Sequence, residues 1–389
     1  MKRERGRISS EAAAGLLTLA AYLPFLLLRT LIAGGGNPAR LSLIGTAFSN
    51  RRELPSFLPI ISGTGYDGQF FLRLAINPFD LARTAYGITL DTPFRTQRIG
   101  YPFLSWLLSF GDAHLVPLSL IAVNIAAVTT IAWAAARLAR GTARPVLTGL
   151  AASTFFGYAM STGRDLSEPT AAALALVAMN LFEENRNLLA GLAFAAATLT
   201  LETELVIPIA IGIVWLFQQV RRYRGPIQRR LDTRILPWLI PGAIALAWQL
   251  TLTNIEHTLP AASDLAGNLG IPVVTVLAGI SAHLNQMSLS NLIWFGQLAV
   301  LAAMTALALS SLRSPAVPPY LKVALVLMLL LVISISGEVW NHSSYFRAFD
   351  LLWLIALITW MRSRPHLPAI AAIGPLAWLV SAIPLILFL

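Results

Sequence analysis

Cysteine is absent from all 389 residues, so the chain can form no disulfide, no thiolate metal site and no cysteine nucleophile. Histidine is scarce, with five scattered along the chain, which argues against a metal cluster. Charge is scarce too: Asp, Glu, Lys and Arg together make 12% of the residues, against 56% hydrophobic, and the mean hydropathy is +0.69. No polar segment is long enough to bury a core of its own, apart from a stretch of roughly 65 residues after the first apolar run. No period of 20–50 residues repeats, so neither a solenoid nor an inverted-repeat transporter is indicated. These absences exclude a soluble enzyme or cofactor domain and leave an all-α polytopic membrane protein, 1–389 as a single transmembrane domain.

What is present is arginine, and its placement explains the net charge of +10. The basic residues cluster in short loops between apolar runs, which is a topology signal and not a nucleic-acid footprint. Lys2, Arg3, Arg5 and Arg7 precede the apolar run Ala12–Ala33, read as a signal anchor with the N-terminus in the cytoplasm. Counting on from there gives about eleven spans. On that topology 18 of the 28 Lys and Arg lie at cytoplasmic loops and 13 of the 18 Asp and Glu lie outside. Residues 34–100 form a large first outer loop, in which Phe57–Ile61 and Phe70–Leu72 predict short amphipathic helices along the membrane surface. The segment 98–110 is too short to span and reads as interfacial or re-entrant.

Within that loop lies GTGYDGQFFLRLAINP at 63–78. Gly65 and Gly68 flank Asp67 and let the backbone turn tightly, bringing a carboxylate close to a ligand, where it can serve as a general base. An Asx-turn in an exposed loop is the plainer reading. Asp67, Arg95, Arg98, Arg164, Asp165, Glu168, Glu202, Glu204, Glu338, His342 and Arg347 all fall on the outer side of the expected topology, a one-sided collection of costly groups. Arg95, Arg98 and Arg347 each adjoin an apolar segment and suit a lipid phosphate at headgroup level. Glu202 and Glu204 are two positions apart and would not share a face of a regular helix.

YDGQFFLRLAINP at 66–78 resembles the first outer-loop motif of bacterial cell-surface glycopolymer proteins and, more distantly, of GPI-type mannosyltransferases. QRIGYPFLSWLLSFG at 97–111 resembles the segment that follows it, and RDLSEP and LTLETELVIP look like turns at corresponding places. On these patches the chain resembles the GT-C superfamily of membrane glycosyltransferases. The resemblance implies a hexosyl- or pentosyltransferase of the bacterial cytoplasmic membrane with an extracytoplasmic site. Its partners would be a polyprenyl-phosphate sugar donor, a glycan, lipid or protein acceptor, and membrane lipids. It also implies inverting transfer with Asp67 as the catalytic base, and substrate-binding roles for Tyr66, Gln69, Arg73, Arg95, Arg98, Arg164, Glu168, Glu202, His342 and Arg347.

Two departures stand out. Leu201 occupies the place where the family pattern has Arg before Glu-Thr, and Asp67 and Asp80 are too widely spaced for a paired acidic metal motif. No metal or other required cofactor is therefore expected. The competing expectations are a transporter or flippase of lipid-linked saccharides, which would carry ionisable groups near the bilayer midplane, and a non-catalytic subunit with the same fold.

Overall fold

The computed structural model describes residues 8–222, 232–263, 265–285 and 288–388. The basic residues before Ile8, most of the basic loop at 221–234, and Asp264 lie outside the described residues. The chain is helical almost throughout, with a single two-residue hairpin, β1 (Thr84–Ala85) and β2 (Ile88–Thr89), in the first loop.

Helix α1 (Ser10–Leu31) starts where the Ser9 hydroxyl accepts the Ala12 amide at 3.2 Å, satisfying one of the amides a helix start leaves free. After the first loop, which holds α2 (Gly68–Ile76) and α3 (Gly100–Leu108), come α4 (Val116–Leu138), α5 (Pro145–Ser153), α6 (Phe156–Gly163), α7 (Glu168–Glu183) and α8 (Asn187–Thr200). Next are α9 (Val206–Arg222), α10 (Leu236–Glu256), α11 (Val274–Leu284), α12 (Leu289–Ser310), α13 (Pro319–Ile333), α14 (Asp350–Ser363) and α15 (Gly374–Leu387). Proline stands in the first turn of α4, α5, α7 and α13, where its missing N–H breaks no helical bond.

Helices α1, α4, α7, α8 and α10 pack one against the next in a row, while α12 and α13 pack on α14 and α9 lies between α13 and α10. Every residue of α14 from Asp350 to Met361 is buried. A helix apolar all round has no face to give to solvent, and here neighbouring helices supply the cover.

Seven helical segments among the described residues are long and apolar enough to cross a bilayer: Ser10–Leu31, Val116–Leu138, Glu202–Arg221, Thr233–Glu256, Leu289–Ser310, Ser343–Ser363 and Ala369–Leu387. The sequence reading of about eleven spans also counted several shorter apolar runs. The run Val146–Met160 is broken at Thr154 and Phe155 into α5 and α6, and α7, α8 and α13 are 16, 14 and 15 residues long. Those lengths fall below the about 20 residues that a bilayer core requires.

The first loop also differs from expectation. Phe57–Ile61 is irregular, with Ile61 bridged to Gly45, and its Pro59 can donate no backbone hydrogen bond. Phe70–Leu72 is helical, but α2 lies in the interior and not along a surface, with all nine of its residues buried and packed on α3 and α4.

Two glycines set the close approach that lets α2 start there. Gly65 has φ +69°, and a Cβ on it would lie 2.2 Å from the Leu43 carbonyl oxygen. A Cβ on Gly68 would lie 2.2 Å from the carbonyl oxygen of Arg164, so the start of α2 is seated directly on the turn between α6 and α7. Gly68→Ala should therefore destabilise the protein by about 1–3 kcal/mol, the usual cost of overpacking. Gly242→Ala, in the interior of α10 with nothing within 4 Å of its Cβ, should be neutral or slightly stabilising. Thermal unfolding in detergent compares them, and equal melting temperatures would remove the close-approach explanation.

Candidate active site

Asp67 stands immediately before α2, and its side chain, one quarter exposed, meets guanidinium groups from two distant segments. Arg95, on the 3-10 turn Pro93–Gln97, donates to Oδ1 at 2.9 Å, and Arg347, on the turn Ser343–Phe349, donates to Oδ2 at 2.7 Å. Arg347 also donates to Glu168 Oε1 at 2.7 Å and to the Tyr66 hydroxyl at 3.0 Å. Arg95 is further held by Asp91, at 2.9 and 2.8 Å, and stacks over the Phe70 ring at 4.8 Å. Beside this cluster Arg98 makes a two-bonded pair with Glu202, at 2.9 and 2.5 Å. Arg164 lies over the Tyr66 ring at 4.4 Å, with Arg347 5.4 Å from the same ring.

The segments converge because each ends or begins a helix at one end of the bundle. Glu168 opens α7, Arg347 precedes α14 and Glu202 lies on the turn Glu202–Leu205 between α8 and α9. The same two helices, α7 and α14, carry Glu183 and Arg362 at their far ends, where these two side chains pair with each other. Arg137 with Glu184 and Arg140 with Glu11 complete a separate set of ion pairs there.

Burial opposes ionisation of Asp67, but the guanidiniums of Arg95, Arg347 and Arg98 outweigh it and hold the carboxyl below its ordinary 3.8. For Arg95 burial is likewise overcome, by Asp67 and Asp91, and its proton is held more firmly than usual. Burial pushes the Tyr66 phenol up. Asp67 is therefore a carboxylate at neutral pH, polarised by two cations.

Of the residues expected at a substrate site, the structure brings together Tyr66, Asp67, Arg95, Arg164, Glu168 and Arg347, with the Arg98–Glu202 pair alongside. Three others serve elsewhere. Gln69 accepts the Gly45 amide at 3.0 Å and donates to the Thr64 carbonyl at 2.9 Å, fixing the loop that leads to Asp67. Arg73 is fully buried and donates to the carbonyls of Asp80 and Ala82, pinning the chain after α2. His342 is exposed and touches the cluster through no hydrogen bond.

Glu202 and Glu204 fall on a 3-10 turn and not on a regular helix. They take opposite roles, Glu202 on Arg98 and Glu204 fully buried with neither carboxylate oxygen hydrogen-bonded. Asp91, Asp165, Asp350 and Glu256, which accepts the Thr96 hydroxyl at 2.7 Å, are further acidic groups at this end. The sequence signal for Asp91 was its four-residue spacing before Arg95; Asp350, at the head of an apolar run, follows the rule for costly charges.

Two cavities flank the cluster. One, of about 370 Å³, is lined by Gln97, Arg98, Glu202, Trp248 and Gln249 among apolar side chains. The other, of about 250 Å³, is lined by Arg164, Gln297, Ser343, Ser344 and Ser381 with apolar residues of α6 and α15. The turn Ser343–Phe349 divides them: Ser343 and Ser344 face the second and Ala348 the first, with Arg347 between them on Asp67. A larger cavity of about 520 Å³, between α3, α4 and α7, has almost wholly apolar walls and includes no charged residue. Among the described residues no three His, Cys, Asp or Glu are grouped to hold a metal ion. Comparison of the chain with models of known protein families, with curated proteins and with solved structures gave no match.

Asp165, in the turn between α6 and α7 that seats Gly68, is fully buried and accepts the Ser42 hydroxyl at 2.7 Å. Burial raises its carboxyl from 3.8 to about 7, against the pull of Ser42 and Arg29. The folded state thus keeps a proton that the unfolded chain releases near pH 4. Stability from this group is full below pH 4 and declines until about pH 7. Asp165→Asn should remove that decline, flattening the melting temperature between pH 4 and 7 relative to wild type. Parallel curves for the two proteins would show that Asp165 does not titrate in this range.

Proposed function

We propose that the protein is a membrane glycosyltransferase that moves a sugar from a polyprenyl-phosphate donor to an acceptor hydroxyl at the membrane face bearing Asp67. The observation that carries this reading is one carboxylate, Asp67, held by Arg95 and by Arg347, the latter on the turn Ser343–Phe349 whose residues line two separate cavities. Transfer between two bound molecules calls for two seats near a base and cations, and cavities along that turn support this plan.

In the proposed reaction the acceptor oxygen bonds to the anomeric carbon as the bond from that carbon to the phosphate oxygen breaks, with inversion. The acceptor proton passes to Asp67, and the electron pair leaves with the lipid phosphate. A carboxylate bridged by two guanidiniums is a weak base. Donor phosphate competing for Arg347 would draw positive charge from Asp67 and strengthen it as a base at the moment of need. Arg347, shared among Asp67, Glu168 and Tyr66, is the group through which phosphate binding and base strength would be coupled.

The distribution of buried carboxylates weighs against a transporter. Glu204 lies just before α9, at the end that holds Asp67, and Asp350, the first residue of α14, lies seven residues into the segment Ser343–Ser363 from that same end. The proposed orientation puts that end outside and the arginine-rich loops ending α4 and α14 in the cytoplasm, as the positive-inside rule directs.

The test uses purified protein with candidate polyprenyl-phosphate sugars and acceptors. Asp67→Asn should lower turnover by about 10²–10⁴-fold, the usual contribution of a general base, while donor affinity is kept or raised, since Arg347 is released from its carboxylate. Product of unchanged amount from this variant would sink the mechanism, and retention of anomeric configuration would exclude single displacement.

A further inference from the structure

Among the arginines at the Asp67 end, Arg164 differs in its partners. Arg95, Arg98 and Arg347 each hold at least one carboxylate, whereas Arg164 has no carboxylate partner among the described residues and contacts the face of Tyr66. Its Nε is buried without a hydrogen bond. A desolvated guanidinium in that state is costly, and an anion bound by two of its N–H groups is the usual relief.

The cavity it lines supplies a second, independent sign of a ligand. Gln297, from α12, is 8% exposed, and its Oε1 has no hydrogen-bond partner while Nε2 donates to the Ser381 hydroxyl at 3.2 Å. The Ser381 hydroxyl in turn donates to the Ala377 carbonyl at 3.0 Å, so Gln297 Oε1 stands as an unpaired acceptor at the cavity wall. The cavity thus presents donors for an anion in Arg164 and the hydroxyls of Ser343 and Ser344, and beside them one acceptor, Gln297 Oε1.

The rest of the wall is hydrocarbon, from Phe156, Met160, Val380, Pro384 and Leu385. On α15, which forms one side, Leu376, Leu379, Ile383 and Leu387 are 48–61% exposed, so the cavity lies beside a helix face that only hydrocarbon can cover in a bilayer. Donors for an anion beside an open apolar flank fit an amphipathic ligand.

We infer that the cavity between α6, α12 and α15 binds the phosphate of a lipid, with Arg164 as its principal anchor and Gln297 Oε1 accepting a hydroxyl of the phosphate or headgroup. The volume of about 250 Å³ accommodates a headgroup and the first carbons of a chain, the remainder lying along α15. Arg347 reaches the same place from the other side of Tyr66, and its Nη1 is 3.4 Å from the Ser344 carbonyl, so a phosphate here adjoins the Asp67 cluster. The inference rests on the glycosyltransferase reading only for the claim that the lipid is the donor. The binding of a lipid phosphate is measured apart from any transfer.

The experiment follows binding to full-length protein in nanodiscs of phosphatidylcholine. The probes are a polyprenyl monophosphate, phosphatidylglycerol and inorganic phosphate, applied to wild type, Arg164→Gln, Gln297→Leu and Asp67→Asn. Loss of one charge-assisted contact should weaken lipid-phosphate binding by about tenfold or more in Arg164→Gln, less in Gln297→Leu, and not in Asp67→Asn. Gln297→Leu keeps the question open to measurement if Arg164→Gln fails to fold. Preference for the polyprenyl monophosphate supports the inference and identifies the site as a donor seat; equal binding of phosphatidylglycerol supports it as a site for membrane phospholipid. Wild-type affinity in both cavity variants, or competition by inorganic phosphate as strong as by either lipid, would overturn it. Intact lipid binding with no sugar transfer by wild type would leave the inference standing and defeat the proposed function.

Discussion

The contact on which the site depends is the fork of Arg347. Its three nitrogens reach Asp67, Glu168 and Tyr66, so one planar cation joins the first loop, the start of α7 and the turn before α14. Such a group cannot be left half paired in a region this poor in water. Removing one partner from a buried ion pair typically costs about 3–5 kcal/mol, since the other charge is stranded. The backbone around it is shaped to match, with Gly68 allowing the start of α2 to sit on the carbonyl of Arg164. Arginine suits this role because its donors lie in a fixed plane and point to two carboxylates and a phenol at once.

Charge is divided between the two ends of the bundle, and each end solves its own pairing problem. At the far end, Arg137, Arg140 and Arg362 meet Glu184, Glu11 and Glu183 in simple pairs. At the near end the carboxylates and guanidiniums share partners in a network, and more atoms remain unpaired, among them Glu168 Oε2, both oxygens of Glu204 and Arg164 Nε, against Arg362 Nε among the far-end pairs. A network with unmet capacity, next to cavities, is what a binding or catalytic centre needs and what a purely structural ion pair avoids.

Much of this was legible in the chain. Apolar run length marks the long helices because a bilayer demands about 20 apolar residues, and α1, α4, α10 and α12 follow from it. The Asp67 cluster was legible as well: Tyr66, Asp67, Arg95, Arg164, Glu168 and Arg347 stand out as polar residues beside apolar runs. Gln69, Arg73 and His342 carry the same sequence signal and serve differently. A side chain that binds backbone carbonyls from within, as Arg73 does, cannot be told by its neighbours in sequence from one that faces a ligand. Likewise the two-position spacing of Glu202 and Glu204 has a helical reading and a 3-10 reading, and only the turn itself selects between them.

Composition and hydrophobic run length, then, determined by themselves that this is a helical membrane protein, because transfer of apolar side chains into a bilayer depends mainly on residue type. Tertiary structure alone decided that α2 is interior, that residues 67, 95, 168 and 347 share one network, and that Arg164 is left beside a cavity. Those facts depend on distances between segments up to 281 residues apart. Nothing local to any of the segments encodes such a distance.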